Sequence, residues 1–169
     1  RSGKNHTLLG VLDRTATPMG ARLLRDWILH PLRDLATLTA RQDIIAAFLA
    51  EPFLLSKCRE SLKGIRDIER TVSRLSQGSG NARDLQSLAT SLSHIPALKE
   101  DVSSLITDHC SLITNLHNFS DLTSLLASAL VDEPPAHLRD GGIIRDGWSE
   151  ELDELRNASR GGKDWIARL

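Results

Sequence analysis

The stretch that decides the fold is LDRTATPMGARLLRDWILHPLRD, residues 12–34. Thr17 before Pro18 is a helix start, because the hydroxyl accepts from an otherwise free amide and proline loses nothing at the first helical position. Met19, Leu23, Leu24, Trp27 and Ile28 then recur at three-to-four spacing and define one stripe expected to be buried, and Pro31 ends it. Arg22 and Asp26 form an i,i+4 pair expected on the opposite face, and Arg25 also falls outside the stripe. Most of the basic charge therefore sits where a solvated helix face carries it.

The same pattern continues outward. Asp34 is placed to cap a second helix through about Ala50, with Leu38, Ile45, Phe48 and Leu49 as inward candidates and Glu51-Pro52 as the stop. A short helix over 53–62 follows. Ile65, Ile68, Val72 and Leu75 form another stripe, which the run Gln77-Gly78-Ser79-Gly80-Asn81 terminates. Leu85, Leu88, Leu92 and Ile95 mark the next helix, interrupted at Pro96, with Leu98, Val102, Leu105 and Ile106 beyond it. Leu112, Ile113 and Leu116 belong to a further segment, and Leu122, Leu125, Leu126 and Leu130 to the one after. No strand-period alternation occurs in residues 17–131, so the fold class is all-α, a multi-helix bundle.

One segment breaks the pattern. HLRDGGIIRDGW, residues 137–148, follows Pro134-Pro135, and its Asp140-Gly141 reversal predicts a small β-hairpin or an irregular extended turn. Ser149 then caps a long C-terminal helix whose first turn carries Glu150, Glu151, Asp153 and Glu154, the sign that suits the positive end of a helix dipole. Leu152, Leu155, Ser159, Gly162, Ile166 and Leu169 make a coiled-coil-like seam with small residues in its middle. Residues 1–148 are thus read as a helical core and 149–169 as the start of a rod of about 31 Å.

The totals agree with one domain. A chain of 169 residues with 40% apolar content builds a single core, and no apolar run approaches the ~20 residues that span a bilayer. The sequence starts Arg1-Ser2-Gly3-Lys4-Asn5 and its only methionine is Met19, so it is expected to be a segment of something longer. Cys58 and Cys110 are too few for a disulfide framework and are expected to be buried free thiols in a reducing cytosol. Residues 1–83 hold 14 Lys+Arg against 8 Asp+Glu, and residues 84–169 hold 7 against 14. The basic half suits a polyanion, the acidic half of the same chain, or a neighbour. With no basic run of five residues, direct nucleic-acid binding is the lesser alternative.

Nothing catalytic emerges. Gly78-Ser79-Gly80 lacks a third glycine and a preceding strand, and Gly141-Gly142 has no following Lys-Ser or Lys-Thr, so turn chemistry accounts for both. His109, Cys110 and His117 lack the short paired spacing of zinc ligands. The acidic run at 150–154 is read as dipole compensation, and Trp27, Trp148 and Trp165 as packing anchors. No catalytic, cofactor-binding or metal-binding residue is assigned, and the fragment is expected not to be an enzyme.

Three stretches carry a family resemblance: LLGVLDRTATPMGARLLRDWILHPLRD (8–34), DIERTVSRL with NARDL (67–75 and 81–85), and LRDGGIIRDGWSEELDELR (138–156). Together they resemble the core, or lever, region of the MutS family of bacterial DNA mismatch-repair proteins, over essentially all 169 positions. The family's Thr-x-x-Gly-x-Arg-x-Leu elbow falls at Thr17, Gly20, Arg22 and Leu24, and its Asp-Gly-Gly-x-Ile turn at Asp140, Gly141, Gly142 and Ile144. Trp148 stands where the family often has Tyr, and residues 103–124 are the least family-like part. The resemblance implies a parent that works as a homodimer around mismatched double-stranded DNA, uses ATP with Mg, recruits MutL, and is cytoplasmic and nucleoid-associated. This segment would be the first half of the lever linking the ATPase domain to the DNA-embracing clamp, with 149–169 heading toward the clamp. The family's mismatch-reading Phe-x-Glu motif and Walker nucleotide site lie outside these residues, so no ligand residue carries over. The alternatives are a helical protein-docking module, or a weak duplex-DNA binder using Arg14, Arg22, Arg25 and Arg33.

Overall fold

The Thr17–Pro18 start forms as expected. In this computed structural model, which describes residues 7–105 and 116–166, the Thr17 hydroxyl accepts from the Gly20 amide at 3.0 Å and opens helix α2, Pro18–Leu29. A short helix α1, Leu8–Leu12, precedes it and is capped the same way by Thr7. Asp34 caps α3, Leu35–Ala50, by accepting from the Thr37 amide at 2.8 Å. Glu51-Pro52 stops α3 and at once starts α4, Pro52–Lys63, with proline in its first turn.

Asp67 caps α5, Ile68–Ser76, and Gly78, at φ 68°, closes its C-terminal end. Helix α6, Ala82–Ser93, opens on a capping box: Asn81 accepts from the Asp84 amide while the Asp84 carboxylate accepts from the Asn81 amide. Asn81 therefore begins this helix as well as ending the preceding turn. The break before α7, Ile95–Leu105, falls at His94, and Pro96 lies inside the first turn of α7, where it is tolerated. Helix α8 covers Ser120–Ala129 and α9 covers Glu150–Ile166, a rod of about 25 Å. Residues 106–115, with Ile106, His109, Cys110, Leu112 and Ile113, and residue Leu169 lie outside the described residues.

The expected hairpin does not form; the irregular turn does. Leu138–Asp140 make one 3-10 turn, and Gly141 and Gly142 take positive φ of 69° and 67°. Ile144 pairs instead with Leu130 in an isolated antiparallel bridge, flanked by Val131 N to Ile143 O at 3.1 Å and Arg145 N to Ala129 O at 2.8 Å. The Asp-Gly signal turned the chain, but the apolar residues beside it found a partner at the end of α8 rather than across the turn.

Helix α6 is the centre of the packing. Leu88, Leu92 and Ile95 form the buried cluster, with Ile68, Leu75 and Leu116 packed against it. Helices α5, α7 and α8 all meet α6, while α4 meets α7 and α3 meets α4. Among the described residues, Ser91 is the most deeply buried side chain: its hydroxyl donates to the Ser87 carbonyl at 2.8 Å and accepts the Arg66 amide at 3.1 Å, tying the α4–α5 connection to α6.

Several packing expectations fail for one reason. The α2 stripe is only partly covered, with Met19, Leu24 and Ile28 half-buried but Leu23 50% and Trp27 41% exposed, and Ile45 and Leu49 of α3 are exposed while Leu38 and Phe48 are half-buried. Val72 is exposed and Thr71 takes the buried place on α5. Trp148 is also exposed, and Leu155 of the α9 seam is open. Periodicity shows which face seeks cover, whereas cover depends on a second element being there.

Candidate functional site

The polar side chains that join one helix to another are mainly arginines, and they form the feature of this molecule that bears on function. From the middle of α2, Arg22 sends Nη1 and Nη2 to the two Asp67 carboxylate oxygens at 2.6 and 2.7 Å, and Nε to Glu69 at 3.1 Å. The planar guanidinium matches a carboxylate edge-on, which fixes angle as well as distance. These hydrogen bonds hold the Asp67 carboxyl down to about 2, and Asp67 also accepts from the Arg70 amide. The same pair raises Arg22 further above its ordinary value. The expected Arg22–Asp26 pair is not made: Asp26 meets His30 one turn on, at 2.9 Å.

The bracing continues along the chain. Arg74, at the end of α5, pairs with Asp84, the acidic member of the α6 capping box. Arg83 donates to the Pro134 carbonyl at 2.9 Å, fastening α6 to the segment after α8. Arg145 reaches the Leu130 carbonyl and Asp132, and Arg156 of α9 reaches Asp146 at 2.7 Å and the Ile144 carbonyl at 2.9 Å. Asp153 accepts from the Gly147 amide at 2.7 Å, so the first turn of α9 is locked to the loop before it. Lys57 of α4 meets Asp101 of α7 at 2.6 Å, and that hydrogen bond raises the lysine pKa. On α3, Asp34 is held below the usual carboxylate range by the Thr37 hydroxyl and amide. Arg41 lies 3.7 Å over the Trp27 ring and joins α3 to α2.

Such exposed pairs stabilise little each, and what they add is directional contact between neighbouring segments. They are bracing rather than chemistry. Among the described residues, no three His, Cys, Asp or Glu side chains gather as a metal-holding group. Cys58 is buried, and burial pushes its thiol up, away from the reactive thiolate. The groove between α6 and α8, lined by Gln86, Thr90, Leu126, Leu130 and Arg145, is about 390 Å³ and open to solvent.

The arginines considered for duplex binding are placed unequally. Arg22 is neutralised by two carboxylates, and Arg14 gives its Nη1 to the Asp13 carbonyl while its own carbonyl accepts from Arg59. Arg25 and Arg33 are exposed. Both glycine clusters serve turns, His117 is exposed, and Glu150, Glu151 and Asp153 occupy the first turn of α9. Sequence reading missed the long-range partners of Arg22 and Arg74. The one available signal was that Asp67 and Asp84 stand at helix starts, where a carboxylate is held in place by backbone amides.

The family model described as MutS domain III matches residues 1–166. The chain belongs to the MutS domain III family. It is 46% identical to the DNA mismatch repair protein MutS of Halothermothrix orenii over 99% of this chain and 19% of that protein. It is 43% identical to the protein of the same name from Shouchella clausii, over 98% and 19%, and 44% identical to that of Bacillus pumilus, over 98% and 20%. This MutS domain III therefore spans about a fifth of the length of the curated relatives it matches. Among its described residues, no helix is long and apolar enough to cross a membrane.

Proposed function

We propose that this domain III is the structural and transmission element, the lever, of a full-length MutS mismatch-repair protein, and that it carries out no reaction itself. The observation that carries the reading is the set of braces that runs from Arg22 on α2 to Asp67, from Arg74 on α5 to Asp84 on α6, from Arg83 on α6 to the segment after α8, and from Arg156 on α9 to the loop before it. A helix body packed near α6 and cross-braced at its rim deforms little, so a rotation imposed at one end reappears as a larger displacement at the far end of a rod. In this reading the parent encircles mispaired duplex DNA as a homodimer, binds ATP with Mg outside these residues, recruits MutL and works in the bacterial cytoplasm at the nucleoid. The domain passes a coupling free energy, typically about 1–3 kcal/mol, between the ATP and DNA sites.

Ala158, exposed in the middle of α9, gives the test. Proline there removes one backbone hydrogen bond and crowds the preceding turn, costing the helix about 3 kcal/mol without touching a side-chain contact. Full-length protein carrying Ala158→Pro is expected to bind mismatched DNA and ATP, each detectably, while ATP no longer changes its hold on the mismatch. Intact coupling in that variant counts against the lever. Direct duplex binding is the rival that a salt titration separates: the 169-residue chain is expected to bind duplex weakly and without sequence preference, and micromolar affinity with steep salt dependence would favour the rival.

A further inference from the structure

The arginines Arg22, Arg74, Arg145 and Arg156 each end on a carboxylate. Two that share a cleft do not. Arg66, in the α4–α5 connection, and Arg83, in the first turn of α6, both line an open cleft of about 480 Å³, and neither guanidinium pairs with a carboxylate among the described residues. Both are nonetheless held in place. Arg83 donates Nε to the carbonyl of the buried Pro134 at 2.9 Å, which orients its guanidinium and leaves both Nη groups without an acceptor among the described residues. The Arg66 amide is anchored on the Ser91 hydroxyl at 3.1 Å. Ser91 follows Arg83 by two turns of α6, so the two arginines enter the cleft about 12 Å apart along that helix. Midway between them Ser87 lines the same cleft, and its hydroxyl donates to no described residue. Glu133 is the one carboxylate of the lining; it is exposed and pairs with neither arginine.

We propose that the Arg66–Arg83 cleft binds a phosphate-class oxyanion between the two guanidinium groups, with the Ser87 hydroxyl as a third donor. The planar fork of an arginine matches paired phosphate oxygens, and a hydroxyl between two forks supplies a further direction. Two unpaired like charges facing one cleft repel, and concave walls focus their field, so a bound anion relieves a repulsion as well as gaining hydrogen bonds. Arg83, already oriented by Pro134, loses little freedom when the anion arrives. The two arginines less Glu133 leave the cleft a net charge of +1, which suits a singly charged group and makes Glu133 an internal competitor for the same guanidiniums. The same chemistry has two sources, inorganic phosphate and the phosphodiester of a nucleic-acid backbone. The proposal rests on the lining of this cleft and does not depend on the lever reading.

Titration of the 169-residue chain with inorganic phosphate tests it, followed through the NMR resonances of the arginine Nε–H groups with ionic strength held constant by sodium chloride. The expected result is a saturable shift confined to Arg66 and Arg83. Arg66→Ala removes a side chain that has no partner among the described residues, so it should keep the thermal midpoint of the parent and weaken phosphate binding about tenfold. Glu133→Gln should do the reverse, tightening binding roughly threefold by removing the competing charge. A parallel titration with a dinucleoside monophosphate, which has one phosphodiester and no terminal phosphate, separates the sources. Saturable shifts at the same two arginines assign the site to a nucleic-acid backbone; a response to inorganic phosphate alone assigns it to the free ion. Absence of saturable shifts with either probe overturns the proposal, as do shifts spread evenly over exposed arginines such as Arg25 and Arg33. Binding that neither Arg66→Ala nor Glu133→Gln alters overturns it too.

Discussion

Ser91→Ala is the sharpest probe of how the helices are joined. Ser91 is 1% exposed, and its hydroxyl accepts the Arg66 amide at 3.1 Å while donating to Ser87 at 2.8 Å. Alanine leaves the Arg66 N–H without that acceptor, and an orphaned buried donor costs about 1–3 kcal/mol. Two terms reduce the cost: alanine is the better helix former by roughly 0.5 kcal/mol, and Arg66 is exposed, so water reaches the amide in part. The net expectation is a loss of about 1–2 kcal/mol, or about 2–8 °C in thermal midpoint for a domain of this size. Urea unfolding followed by two spectroscopic probes measures it, with Ser93→Ala as control. Ser93 lies one turn-step away and bonds only within its own helix at the surface, so its replacement should stay within about 0.5 kcal/mol of the parent. Equal stabilities for the two variants would refute the claim that Ser91 ties the α4–α5 connection to α6.

Further outcomes follow from the same contacts. Gly64→Ala places a Cβ 2.6–2.9 Å from ring atoms of His94, so it should destabilise by about 1–3 kcal/mol in the same urea assay, although Gly64 has an ordinary helical φ. Asp67 has its pKa lowered to about 2 from 3.8, so the stability it contributes is fully present above pH 4 and is lost as pH falls from 4 toward 2. Asp67→Asn, which keeps a capping side chain, should flatten that part of the stability–pH curve; an unchanged slope would mean that Arg22 does not hold the carboxylate.

Local signals in the sequence were legible because their physics is local. Thr17-Pro18, Asp34 and Glu51-Pro52 each specify a helix boundary through groups within four residues, and each boundary formed where expected. Asn81 closes a turn-forming run in the sequence, yet Asp84 three residues on makes it the start of a capping box. The pairing of Arg22 was not legible, since a helix-surface rule offers Asp26, whereas the fold brings up Asp67 from 45 residues away with a geometry that uses both guanidinium edges. The segment 137–148 illustrates the same limit: Asp140-Gly141 announces a reversal but says nothing of Leu130, which became the partner of Ile144. Burial of the α2 and α3 stripes failed as an expectation because amphipathic spacing records a demand for cover and cannot name its supplier.

The central claim, that this domain travels as one stiff body, is tested most directly by spin labels on the exposed positions Ser93 and Asn157 in the full-length protein, one at the end of α6 and one on α9. The distance between them is to be measured on mismatched DNA before and after ATP, alongside a second distance from Asn157 to a label in another domain. The account predicts a narrow, unchanged distance within the domain while the second one shifts. A Ser93–Asn157 distance that changes or broadens with ATP would contradict it.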